Sequence, residues 1–182
     1  KLMVKEFEIN AFNYYLKHGK EVSTAIELDG LSATRERLIE SDLPPIRRNL
    51  RTVSFPDLKK RGTYVVEFIG NGISSRALVR KGALRLLGKI GPAGHEFKIL
   101  DESNRLKENA TLWLNGKEYS PKNGVILIPF SNEPDNRTVI LRDGDFASLA
   151  RFAHLGENYS LKVGFHVDRE SLRAGEKASL LI

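Results

Sequence analysis

The chain has 182 residues, 41% of them hydrophobic and 29% charged, with 29 Lys+Arg against 23 Asp+Glu for a net charge of +6. That apolar share can build a core, which excludes a wholly disordered chain, and no stretch approaches the roughly 18 consecutive apolar residues of a membrane span. The absence of Cys excludes disulfides, thiolate zinc sites and Cys nucleophiles, without deciding the compartment.

Period-two alternation dominates the chain and predicts strands. Phe7 and Ile9 share one face of Lys5 to Ala11, and Val22, Thr24, Ile26 and Leu28 share a face of the next segment. Ser32 to Ser41 reads as one or two helical turns, stopped by Leu43-Pro44-Pro45. Tyr64, Val66 and Phe68 alternate up to Asn71-Gly72, and a second strand follows from Ile73 to Arg80. Asn-Gly between two such runs signals a tight hairpin, since a type I′ turn needs φ > 0 at both central positions.

Gly91-Pro92-Ala93-Gly94 reads as the first turn of a new unit, and Asn115-Gly116 closes Ala110 to Leu114 onto Lys117 to Tyr119. Val125 to Phe130 and Thr138 to Arg142 continue the strands, with Asp143-Gly144 as the next turn. Phe146 to Leu155 fits a helix or a strand and is read as a strand; Tyr159 to Val167 alternates cleanly. The fold class expected is all-β with little helix: tandem immunoglobulin-like or fibronectin type III-like β-sandwiches. The divisions expected are 1–82, 83–155, and 156–182 as closing strands or the start of a third unit. Each of the first two would be small (roughly 75–80 residues), so packing between them would add burial.

Motifs for chemistry are scarce. His166 and Asp168 share a strand face and could ligate a metal, but spacing supplies no third ligand. There is no Gly-x-Ser-x-Gly elbow and no phosphate loop. The adjacent carboxylates of Asp101-Glu102 would diverge at a turn. No catalytic, cofactor or metal residue is therefore expected, and no enzyme. The basic residues are spread rather than gathered on one face, so no nucleic-acid partner is expected either. Trp113, the single Trp, and Tyr119 across the Asn115-Gly116 turn are the candidate ligand-binding residues, as an exposed sugar-stacking platform; a single Trp in a strand is more often a core anchor.

The stretch Lys60 to Lys81, with its Gly62-Thr63-Tyr64-Val65-Val66 start and returning strand, resembles the closing hairpin of a macroglobulin-like domain. Leu100-Asp101-Glu102, Ala110 to Leu114 and Gly124 to Leu127 resemble transthyretin-like, carboxypeptidase-regulatory repeats, and Phe165 to Ala178 is similar to the opening of a further macroglobulin-like domain. The resemblance implies a scaffold without covalent trapping. With Lys1-Leu2-Met3 at one end and the apolar Leu180-Leu181-Ile182 at the other, the chain is expected to be part of a longer protein. Two functions remain open: a non-catalytic structural or interaction region of a cell-envelope or secreted protein, or a carbohydrate-binding module using Trp113 and Tyr119. The partners expected are neighbouring domains of the same chain, another protein, or a polysaccharide. The location expected is extracellular, periplasmic or at the cell surface.

Overall fold

The computed structural model describes residues 1–41 and 50–158, together with 164, 172–175 and 177. Strand β1 (Leu2–Ile9) leads into helix α1 (Ala11–His18), followed by β2 (Arg35–Ile39), β3 (Gly62–Gly70) and β4 (Ile73–Lys81). These strands form an antiparallel sheet of order β2-β1-β3-β4. The expected strand Tyr159 to Val167, the Pro44-Pro45 stop and the His166–Asp168 pair lie outside the described residues.

Two local expectations fail here. Arg35–Ile39 is a strand rather than a helix, because its backbone pairs with β1 from Glu6↔Arg35 to Leu2↔Ile39. Val22 to Leu28 is not a strand: Val22 and Leu28 are buried, yet the segment joins no ladder. Its carbonyls are held from the side instead, Val22 by Arg80 at 2.7 Å and Ile26 by Arg76 at 2.8 Å. The helix at Ala11–His18 is a further departure, since the alternation from Lys5 predicts a strand as far as Ala11. Asn10 Oδ1 accepts the Asn13 N–H at 3.0 Å, and Gly19 closes the helix at φ 62° with its N–H on the Tyr15 carbonyl.

Both faces of this sheet are covered. Phe7, Ile9 and Val65 pack on one side with Tyr15, Val22 and Leu28. On the other lie buried Val4, Tyr64 and Val66, where Phe55 packs edge-on to Phe68 at 6.4 Å and also lies under the Arg37 guanidinium.

Beyond Gly82 come β5 (Leu84–Gly91), β6 (Gly94–Asp101), β7 (Thr111–Leu114), β8 (Lys117–Tyr119), β9 (Ile126–Ile128), β10 (Asp135–Asp143) and β11 (Phe146–His154). They make a three-stranded sheet β5-β6-β9 and a four-stranded sheet β11-β10-β7-β8. Leu84, Phe97, Ile99, Ile126 and Ile128 from the first meet Leu112, Leu114, Val139, Leu141 and Phe146 from the second in one core. Two antiparallel sheets closing on alternate inward residues are a β-sandwich. The chain is therefore nearly all β, as its alternation predicts. Asn71-Gly72 (φ 51° and 74°) and Asn115-Gly116 (φ 50° and 78°) both take the positive φ of the tight hairpin turn.

Candidate interaction surface

Two features of the surface are organised well enough to suggest a function. The first is the seam where the sheet of residues 1–82 meets the sandwich. Trp113, Ile140, Ala147 and Leu149 sit on the outer face of the β11-β10-β7-β8 sheet, and α1 packs against that face through Phe12 and Tyr15. Tyr15 donates to Glu21 at 3.1 Å, and burial together with the Glu21 charge pushes its phenol up to about 12.

Arg61 holds the edge of the seam. Its Nη1 lies 3.1 Å from Asp143 Oδ2, and its Nη2 lies 3.3 Å from both Glu102 Oε2 and the Ala83 carbonyl. Its guanidinium also lies over the Phe146 ring at 4.3 Å. Lys107 joins the cluster, with Nζ 2.9 Å from the same Asp143 oxygen. Hydrogen bonds from backbone N–H groups, including that of Ala83, hold the Glu102 carboxyl below its usual range, aided by Arg61. Gly82 adopts φ 87°, and a Cβ there would come within 2.7 Å of Arg61 Nε. The turn between the two parts thus needs a glycine both for its backbone and for the passage of Arg61.

The second feature is a groove on one side of the sandwich, between the edge strands β5 and β11. At its closed end Leu84 is 5% exposed and its N–H donates to Ser148 Oγ at 3.2 Å. From there the strands splay, and the next inward positions of β5 are half-buried Leu86, Gly88 and finally Ile90, which is 60% exposed. The resulting cavity of about 270 Å³ is bounded by these residues and by His95, Phe97, Arg151, Phe152 and Leu155. A Cβ on Gly88 would lie 2.5 Å from Phe97 Cε1, so the missing side chain is what lets the Phe97 ring reach the β5 backbone.

His95 anchors the floor. Its ring stacks on Phe97 (5.9 Å, 4°) and meets Phe152 edge-on at 5.3 Å. Its Nε2 accepts the Leu155 N–H at 3.1 Å, which places the ring proton on Nδ1. Burial, and then the neighbouring His154, hold its pKa below the ordinary histidine value.

The two residues singled out from the sequence are not brought together. Across the β7–β8 hairpin Tyr119 stands opposite Leu112 and packs against the sandwich core, whereas Trp113 stands opposite Glu118 and faces away from that core. Trp113 is half-buried in the seam, edge-on to Phe12 at 5.2 Å. Lys117 lies over the Tyr119 ring at 4.9 Å. Asp101 does not pair with Glu102 either: its carboxylate accepts the Arg105 and Ser103 N–H groups at 3.0 and 2.9 Å, and those bonds hold its pKa low. Sequence reasoning missed Arg61, Gly88 and His95 as organising residues. Gly88 in the middle of an apolar strand was the available signal, since a strand-interior glycine marks a close approach.

Among the described residues no group of three or more His, Asp or Glu is placed to hold a metal, and no helix is long and apolar enough to cross a membrane.

Residues 2–82 match the family model described as the AbpF first immunoglobulin-like domain. The whole chain is 40% identical over 189 aligned residues to a protein of Dictyostelium discoideum named actin-binding protein F, of which it spans 8% of the length. No solved structure matches the chain significantly. These findings bear on two expectations. The resemblance to macroglobulin-like and transthyretin-like domains gains no support: the family that matches residues 2–82 is immunoglobulin-like, and the alternating strands that suggested the resemblance are shared by β-sandwiches generally. The extracellular, periplasmic or cell-surface location is overturned, because the relative is named for binding actin, a cytoskeletal protein. The comparisons support an immunoglobulin-like unit over residues 2–82, in a chain similar to part of an actin-binding protein.

Proposed function

We propose that this chain is a non-catalytic interaction module of a longer actin-binding protein, and that it contacts the actin filament. The observation that carries this reading is the 40% identity along the entire chain to actin-binding protein F. The net charge of +6 suits an acidic filament, adding long-range attraction that salt would screen. Co-sedimentation of the chain with filamentous actin at low and at raised salt tests it. Saturable pelleting that weakens with salt is expected; a chain that stays in the supernatant at low salt overturns the actin reading.

A second reading, that of a spacer holding neighbouring domains at a set angle, is favoured by one observation: the Arg61 cluster and Gly82 tie the two parts together where a flexible linker would leave them free. In both readings the division into units is placed at residues 1–82 and 83–155, with 156–182 belonging to the second unit or to the next. We assign Trp113 to packing in the seam rather than to ligand binding, on the strength of its contact with Phe12. The carbohydrate-binding alternative needs Trp113 and Tyr119 on one accessible face, and they lie on opposite faces of their sheet.

A further inference from the structure

The groove between β5 and β11 has properties that neither the actin reading nor the spacer reading uses. Among the described residues both strands are sheet edges, each paired on one side only. In the β10–β11 hairpin Asp143 stands opposite Phe146 across a two-residue turn. The residues flanking such a turn form a hydrogen-bonded pair, and bonded and non-bonded pairs then alternate. The N–H and C=O groups of Leu149, Arg151 and Ala153 therefore point away from β10. The same count on the β5–β6 hairpin, where Gly91 stands opposite Gly94, turns those of Leu86, Gly88 and Ile90 away from β6. Two bonds confirm the parity: the outward Leu84 N–H is taken by Ser148, and the outward Leu155 N–H by His95. Between these two ends the outward backbone groups of both edges border an apolar floor of Phe97 and Phe152.

An unpaired, partly apolar edge is a template for another strand. The charges at the groove select what kind. Among the described residues Lys89 and Arg151 are its only charged lining residues, and both are cationic. Lys89 is answered by Glu96 at 2.9 Å, which leaves the exposed Arg151 as the charge facing an incoming chain. We propose that the groove is a strand-addition site for an extended segment of a partner protein, with apolar residues alternating along one face and acidic residues at its flank. The segment hydrogen-bonds to the outward edge of β11, sets its apolar side chains on Phe97, Phe152 and Ile90, and meets Arg151 with a carboxylate. Gly88 keeps the Phe97 ring in the floor on which those side chains rest, because any Cβ there would displace it.

The test uses the full chain and a fluorescein-labelled, end-blocked nonapeptide, Asp-Val-Thr-Val-Asp-Val-Thr-Val-Asp, followed by anisotropy. Saturable binding is expected, with affinity lowered about tenfold by Arg151→Glu through lost charge pairing. N-methylation at alternate residues along one edge of the probe should abolish binding, while methylation along the other edge leaves it intact, because an added strand bonds through one edge. That comparison is made on unaltered protein, so it does not depend on a variant's folding. No saturable binding, or equal loss from both methylation patterns, overturns the proposal. Sedimentation showing a dimer of the chain that Arg151→Glu dissociates would also overturn it, by giving the groove to a second copy. Pelleting with actin, measured on the same variant, separates this site from the actin reading: lost probe binding with unchanged pelleting leaves both standing.

Discussion

Arg61 Nη1 lies 3.1 Å from Asp143 Oδ2, joining two residues 82 positions apart across the boundary between the two parts of the chain. The same guanidinium covers Phe146 and reaches the Ala83 carbonyl, so one side chain spans the boundary turn and the sandwich edge. Arg61→Ala removes these contacts but leaves Asp143 paired with Lys107. Because no charge is left stranded and the pair is partly solvated, we expect a loss of about 1–2 kcal/mol in urea unfolding rather than the larger cost of breaking a buried pair. Arg61→Lys should recover little of it, since an ammonium cannot serve Asp143, Glu102 and the Phe146 ring together.

Trp113 allows its packing role to be separated from its polar role. Its indole Nε1 is buried without a hydrogen-bond partner among the described residues. Trp113→Phe therefore sacrifices no hydrogen bond and keeps an aromatic ring against Phe12, with an expected cost under about 1 kcal/mol. Trp113→Ala opens the seam and should cost about 2–3 kcal/mol, somewhat below a fully buried Trp. Equal losses for the two substitutions in denaturant titrations would contradict the packing assignment.

The alternating segments were legible because a strand buried on one face advertises itself at every second residue, as Tyr64, Val66 and Phe68 do. The Asn-Gly turns were legible because their backbone demands a residue that tolerates positive φ. Helix α1 was not, although Asn10 and Gly19 are ordinary helix boundaries: eight residues with only Ala11 and Tyr15 fully buried leave too short a periodic pattern. Val22, Ile26 and Leu28 misled for the opposite reason, since they are at least half-buried on one side without any partner strand to bond. The groove could not be read at all. It depends on how far β5 diverges from β11, a tertiary quantity that local pattern does not encode.

Two glycines should respond differently to a side chain. Gly72 has φ 74° and nothing within 4 Å of an added Cβ, so Gly72→Val meets only backbone strain. A loss of about 1–2 kcal/mol is expected, from a β-branched residue forced to positive φ. Gly94 has φ 133°, and a Cβ there would fall 2.2 Å from the Ile128 carbonyl oxygen, a backbone atom of β9 that cannot move aside. Gly94→Ala, although the smaller change, should therefore cost more than about 3 kcal/mol by prying β9 from β6. A reversed order of melting temperatures would show that the β6–β9 contact is softer than its geometry.

His95 makes stability depend on pH with a sign that can be worked out. Burial and the neighbouring His154 hold its folded pKa below the ordinary value of 6.5, while the unfolded chain keeps the ordinary value. As pH falls below that value the unfolded state takes up a proton that the folded state refuses, so stability drops until the folded pKa is reached. Protonation of Nε2 in the folded state would also turn the acceptor of the Leu155 N–H into a donor, breaking the bond that closes the open end of the groove. Between pH 7.5 and pH 5.5 the urea midpoint should therefore fall. In His95→Phe that fall should shrink, whatever the variant's absolute stability. A midpoint that drops equally in both proteins would place the pH dependence elsewhere.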